Sequence, residues 1–199
     1  GSDAKASTAT AHLIDLGATV FVGHDAANVP RGAVVVISSA IRETNPELAV
    51  ARERGQQVLH RSQALALAAQ GRDFVAVAGA HGKTSTSGML AVALRELGAD
   101  PSWAIGGTIS GVGAGAHMGE GATLVAEADE SDASFLNYTP RLAIVTNVEP
   151  DHLDHYGTRE AFEEAFVKFS RCIVPGGLLV VCSDDDGAAR LGSRALSEG

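Results

Sequence analysis

One stretch constrains this chain more than any other. Val75-Ala76-Val77-Ala78 is an apolar run that stops at Gly79-Ala80-His81-Gly82, and Lys83-Thr84-Ser85 follows before a helical period begins. Strand, glycine turn, lysine, hydroxyl and helix is the layout of a phosphate-binding loop. Glycines let backbone N–H groups approach phosphate oxygens, and the helix N-terminus adds unsatisfied donors and partial positive charge. In that layout Gly79, Ala80, His81 and Gly82 form the cradle. Lys83 brings a point charge to the terminal phosphates, and Thr84 or Ser85 offers a hydroxyl to Mg²⁺. The stretch departs from G-x-x-x-x-G-K-[ST]: Val77 stands where the first glycine belongs, and His81 is an unusual occupant. Taken alone, the pattern competes with an ordinary strand-to-helix turn.

Composition narrows the classes. The chain has 199 residues, 45% hydrophobic and 20% charged, which describes a globular protein of one large or two small domains. Its formal net charge of -9 argues against sequence-independent binding of nucleic acid, which needs a basic face. An anionic ligand is still compatible, because helix N-termini and Mg²⁺ neutralise phosphate locally. Cys172 and Cys182 form no C-x-x-C pair and read as reduced, mostly buried thiols of a cytosolic protein. No apolar run reaches membrane-spanning length and no leader pattern opens the chain, so a cytoplasmic protein without membrane contact is expected.

Along the chain, residues 3–16 read as a helix stopped by Gly17, and Ala18 to Val22 as a short strand closed by Gly23-His24-Asp25. Ala33 to Ile37 has the continuous apolar character of a strand buried on both faces and ends in Ser38-Ser39-Ala40. Asn45-Pro46 is a cap followed by a first-turn proline, so a helix is expected up to Arg54 with Gly55 as its stop. Gln57 to Leu59 is a strand, Ser62 to Ala69 a helix, and Gln70-Gly71-Arg72 a polar break. The alternation implies α/β architecture with parallel sheets, and it restarts after residue 71. Two domains are therefore expected, over residues 1–71 and 72–199. In the second, Met89, Leu90, Ala93, Leu94 and Leu97 give the helix after the glycine loop an apolar face, and Gly106 to Gly121 reads as a loop or irregular hairpin. Strands are expected at 123–126, 142–146 and 178–182, a core-facing stripe at Phe162, Ala165, Phe166 and Phe169, and a last helix over 184–196.

Ligands of parallel α/β sheets sit outside the carboxyl ends of the strands. Three strands here run into unusual chemistry: the glycine loop at 79–85, the acidic Glu127-Ala128-Asp129-Glu130-Ser131-Asp132, and Asp151-His152-Leu153-Asp154-His155. Beside a phosphate loop, a carboxylate at a strand end is the oxygen ligand that Mg²⁺ needs. The Asp-His-x-Asp-His run also suits a transition-metal hydrolase, against which stands the lack of a second histidine-rich cluster: His12, His60 and His117 are scattered.

Three motifs carry a family resemblance: Gly79-Ala80-His81-Gly82-Lys83-Thr84-Ser85, Ala128-Asp129-Glu130-Ser131-Asp132-Ala133-Ser134-Phe135, and Thr146-Asn147-Val148-Glu149-Pro150-Asp151-His152-Leu153-Asp154. In this order the sequence resembles the Mur ligases, most closely the branch that joins L-alanine to UDP-N-acetylmuramate in peptidoglycan synthesis. Ser38-Ser39-Ala40-Ile41 and Asn45-Pro46-Glu47 extend the similarity to nearly the whole chain. The resemblance implies a partial Rossmann-like domain for the UDP-sugar followed by part of a P-loop-type, parallel-sheet ATPase domain. It implies ATP and Mg²⁺, with an acyl phosphate attacked by the amine of L-alanine. Carried over, Lys83, Glu130 and His152 are the catalytic residues, Thr84, Glu130 and His152 hold Mg²⁺, and His24, Ser38, Ser39 and Ala40 line the UDP-sugar pocket. Asp3 would end a strand facing the nucleotide, and Asn147 and Asp151 would be supporting polar residues. Removing Lys83 is expected to abolish ligation at little cost in stability.

Some features depart from the family. Ala80 stands where a threonine is common, and Lys168 is in doubtful register with the carbamylated lysine of other branches. The chain also reads as an internal fragment, inactive alone. A murein-peptide recycling ligase and a non-catalytic nucleotide-binding module are the nearer alternatives, the metallohydrolase the more distant.

Overall fold

The computed structural model describes residues 1–108, 113, 115–151 and 153–198. The chain divides into two compact units, Gly1–Ala64 and Leu65–Gly199. The division falls inside a helix rather than at the polar break of residues 70–72. The cause is packing: Leu65, Ala66 and Ala69 bury against the core of the second unit.

The first unit alternates strand and helix: β1 (Ser2–Asp3), α1 (Thr8–Asp15), β2 (Phe21–Val22), β3 (Val35–Ile37), α2 (Pro46–Glu53) and β4 (Val58–His60). The strands pair in parallel, β1 with β2 and β3 with β4. The helix expected over 3–16 is shorter at its start. Ser7 caps it reciprocally with Thr10, each side chain accepting from the other's backbone N–H, so the residues before Ser7 are free to form β1. Asn45 caps α2 as expected, its Oδ1 accepting from the N–H groups of Glu47 and Leu48. The strand at 33–37 is not buried on both faces. Val34 and Val36 are half-exposed, because β3 pairs with β4 alone and only alternate side chains turn inward.

The helix α3 (Arg61–Ala68) leads to the second unit, built from β5 (Asp73–Ala78), α4 (Lys83–Glu96), β6 (Ser102–Ala104), β7 (Ala116–His117), β8 (Thr123–Glu127), β9 (Leu142–Val145), α5 (Leu153–Tyr156), α6 (Arg159–Ser170), β10 (Leu178–Val181) and α7 (Asp186–Glu198). Its sheet has the order β10-β9-β5-β8-β6-β7, parallel except for the antiparallel hairpin of β6 with β7. β7 lies in the glycine-rich 106–121 segment and pairs back onto β6, which precedes it; residues 109–112 and 114 lie outside the described residues.

Two apolar layers flank the sheet. On one side Phe162, Phe166 and Phe169 of α6 are fully buried, as their helical spacing predicts; Phe169 stacks on Phe135, Phe166 meets Phe135 edge-on, and Phe162 packs against Phe166. Each buried phenylalanine contributes about 1.5–3 kcal/mol through area removed from water. On the other side α4 lies against Val75, Trp103 and Val125 through Ala91, with Leu90, Val92 and Leu94 beside it. The expected stripe on α4 is corrected here: Met89 and Leu97 are exposed, and Ser87, Gly88 and Ala91 are buried instead. Small residues let the helix approach the sheet closely, which larger side chains in the same row would prevent. The cysteine reading is also corrected, since Cys182 is exposed and Cys172 only half-buried.

Candidate functional site

Strand order makes the site. β9, β5 and β8 are adjacent and parallel, so the segments that follow them emerge on one rim. Those segments are the glycine loop, the acidic turn and the residues after Thr146.

The glycine loop needs glycine at two points. Gly79 has φ +137°, and a Cβ there would overlap the Thr146 hydroxyl. Gly82, at φ +80°, is the N-cap of α4 and offers no side chain. The backbone N–H groups of Lys83, Thr84 and Ser85 begin the helix, and they find no acceptor among the described residues. Open donors with the helix dipole behind them are an arrangement that suits an anion.

Lys83 folds back over this loop. Its ammonium donates to the carbonyl of Gly79 at 2.6 Å and to Glu130 Oε1 at 2.9 Å, with Glu130 Oε2 at 2.8 Å. The Glu130 side chain is 1% exposed and that of Lys83 17%. Oε2 has no hydrogen bond beyond this ionic contact among the described residues.

The acidic turn is fixed by its own side chains and by the core. Asp129 Oδ1 accepts from the N–H and hydroxyl of Ser131, and Asp132 Oδ1 accepts from the N–H of Ser134. The buried ring of Phe135 anchors the following turn, and the Tyr156 hydroxyl donates to the carbonyl of Glu130. Burial, with the negative charge of Glu130 nearby, pushes the Tyr156 phenol up to about 12. Glu127, at the end of β8, accepts from the N–H of Gly106, and a Cβ at Gly107 would crowd the Thr84 methyl.

Of the residues singled out from the sequence, Lys83 and Glu130 meet directly. Thr84 and Ser85 stand in the first turn of α4, exposed on its outer side, and His81 sits exposed in the loop, its ring 3.8 Å from Glu149. His152 lies outside the described residues. Sequence reasoning gave Thr146 and Tyr156 no role, and it left Asn147 without a partner. Their positions beside the motifs were visible, but their targets are backbone groups, which leave no trace in a residue pattern. Among the described residues no group of three or more His, Cys, Asp and Glu side chains could hold a metal ion. The Mg²⁺ fit therefore rests on an oxygen set: the Glu130 carboxylate, whose Oε2 is held only by the 2.8 Å ionic contact with Lys83, and the Thr84 hydroxyl in the first turn of α4.

The first unit holds a separate cavity of about 390 Å³, lined by Ser2, His24, Asn28, Val35, Asn45 and Glu47 among others. Burial alone would raise the Glu47 carboxyl. Hydrogen bonds from Ser2, Asn28, the Asp25 backbone and His24 outweigh it and hold it below the ordinary carboxylate range. Ser38, Ser39 and Ala40 do not line this cavity. They form the turn after β3, where the Ser39 hydroxyl lies 3.0 Å from His60 Nε2. Asp3 ends β1 and accepts from the N–H of Lys5.

Comparison with known proteins agrees with this architecture. The profile of the Mur ligase middle domain matches residues 77–198, and that of the Mur ligase family catalytic domain matches residues 1–73. The chain belongs to the Mur ligase family. It is 58% identical over its whole length to a UDP-N-acetylmuramate–L-alanine ligase of Renibacterium salmoninarum, and 55% identical to one of Kineococcus radiotolerans. It spans 43% of the length of each of these relatives. Among solved structures, the UDP-N-acetylmuramate–alanine ligase of Thermotoga maritima superposes with a TM-score of 0.83 at 31% identity, over 96% of this chain and 44% of that one. The UDP-N-acetylmuramate:L-alanyl-γ-D-glutamyl-meso-diaminopimelate ligase of Neisseria meningitides gives 0.85 at 28% identity, over 100% of this chain and 66% of that one.

Proposed function

We propose that this chain is the UDP-sugar-binding and nucleotide-phosphate-binding part of a cytoplasmic, ATP-dependent ligase that joins L-alanine to UDP-N-acetylmuramate. The observation that carries the nucleotide reading is the Lys83–Glu130 pair at the open N-terminus of α4. The choice of substrates rests on the relatives of that name at 58% and 55% identity.

In this reading the N–H groups of Lys83, Thr84 and Ser85 receive phosphate oxygens, and Lys83 exchanges Glu130 for the β- and γ-phosphates. Thr84, Glu130 and His152 would hold Mg²⁺, which when bound would supply positive charge to the phosphates, and Lys83 would stabilise the γ-phosphoryl as it moves to the sugar's carboxylate. The exchange balances electrostatically: each partner of a buried ion pair trades one opposite charge for another, so neither is stranded. In the same reading His24, hydrogen-bonded to Glu47, faces the UDP-sugar, and Ser38, Ser39 and Ala40, in the turn after β3, contribute to binding it.

The test is release of phosphate from ATP by the intact protein with UDP-N-acetylmuramate present. Dependence on L-alanine supports the reading. Release that requires a peptide in place of L-alanine would favour a recycling ligase, the reading that the Neisseria meningitides structure suggests. No ATP-dependent release with either acceptor would refute both.

A further inference from the structure

We propose that Thr146 and Asn147 are positioning residues that hold the phosphate loop in its binding shape from the neighbouring strand. This rests on the reading of Gly79–Ser85 as a phosphate loop.

β9 runs beside β5 with Val145 opposite Ala78, and the Thr146 N–H extends the ladder to the carbonyl of Ala78 at 3.0 Å. At Gly79 the β5 chain turns away and backbone pairing ends. The Asn147 side chain continues it. Its Oδ1 accepts from the His81 N–H at 3.0 Å, and its Nδ2 donates to the His81 carbonyl at 2.9 Å. A carboxamide carries the same donor and acceptor as a peptide group, so Asn147 pairs with His81 as a further strand residue would. The Thr146 hydroxyl has one proton and two acceptors near it, the carbonyl of His81 at 2.6 Å and that of Ala78 at 3.2 Å. The same oxygen fills the space that a Cβ at position 79 would take.

The two side chains therefore act on both flanks of the turn. They use up the peptide groups of His81 and leave the N–H groups of Lys83, Thr84 and Ser85 open for an anion. A loop fixed before binding loses little conformational freedom when phosphate arrives, and that saving appears as affinity.

The experiment compares Asn147→Ala, Thr146→Val and Thr146→Ser by amide exchange at His81 and by calorimetric binding of Mg-ADP to the intact protein, with Lys83→Ala and UDP-N-acetylmuramate binding in parallel. For Asn147→Ala and Thr146→Val, His81 exchange is expected to quicken and the Mg-ADP dissociation constant to rise, each by about tenfold, the worth of about one hydrogen bond. Thr146→Ser should restore parental values, and UDP-N-acetylmuramate affinity should not move. Unchanged His81 exchange in Asn147→Ala and Thr146→Val overturns the clamp. So does quickened exchange with unchanged Mg-ADP affinity, which makes the contacts merely structural. If Asn147→Ala fails to fold, the Thr146→Val and Thr146→Ser pair decides alone. Mg-ADP affinity that survives Lys83→Ala refutes the phosphate-loop reading instead, and the exchange data still judge the clamp.

Discussion

Lys83 and Glu130, distant in sequence, form a buried ion pair at 2.8 Å that ties the loop after β5 to the turn after β8. The same lysine proposed to meet phosphate thus already has a structural duty. That pairing argues against the expectation that Lys83 can be removed at little cost in stability. Lys83→Ala strands a buried carboxylate and should destabilise the chain by about 3–5 kcal/mol. Adding Glu130→Gln should recover most of that loss, because the stranded charge is gone. Urea unfolding of the two variants measures this, and a Lys83→Ala midpoint equal to the parent's would contradict the pairing.

Tyr156 makes the site sensitive to alkali. Its phenol is raised to about 12 in the fold, above its ordinary value of 10.0. The folded state therefore holds the proton more tightly, and the stabilisation is present in full below pH 10. It is lost as pH climbs from there towards 12. Tyr156→Phe should remove this alkaline loss, and it should cost about 1 kcal/mol at neutral pH through the hydrogen bond to the Glu130 carbonyl. Absorbance titration of the two tyrosines with and without the substitution is the check. A single transition near the ordinary tyrosine value for both would contradict it.

Glu47 should contribute to the acid limit of the first unit. Its carboxyl is held low in the fold, so its stabilisation is present above the ordinary carboxylate value and disappears as pH falls through the lowered one. Glu47→Gln should flatten the acid limb of the stability curve. Parallel acid limbs for parent and variant would show that the hydrogen bonds from Ser2 and Asn28 carry no pH dependence.

Phe166 is the central ring of the aromatic layer, 5.3 Å from Phe135 and 5.2 Å from Phe162. Phe166→Ala should cost about 3–5 kcal/mol by leaving a cavity in rigid surroundings. It should also loosen the acidic turn, because Phe135 anchors it. Thermal unfolding measures the first effect. Amide exchange at Ser134 measures the second, and unchanged exchange there would separate the core from the site.

Much of the site was legible before any coordinates. The apolar run into Gly79, Lys83 and the carboxylates at 127–132 belong to local patterns, and strand ends on one rim follow from parallel pairing. The stripe of Phe162, Phe166 and Phe169 was equally clear, because a helix repeats its buried face every three to four residues. The exposed Met89 and Leu97 were misread for a related reason. Periodicity shows that a helix has an apolar side, whereas the closeness of its approach decides whether large or small residues form the contact.

The linear sequence was enough to establish an alternating α/β chain with a glycine-rich strand-to-helix loop and acidic strand ends, since backbone preference and spacing act between near neighbours. Which strands lie side by side was settled only by the folded structure. The order β9-β5-β8 brings Lys83 to Glu130 and Asn147 to His81. Those contacts depend on packing of the whole sheet between its two apolar layers, and no local stretch contains that information.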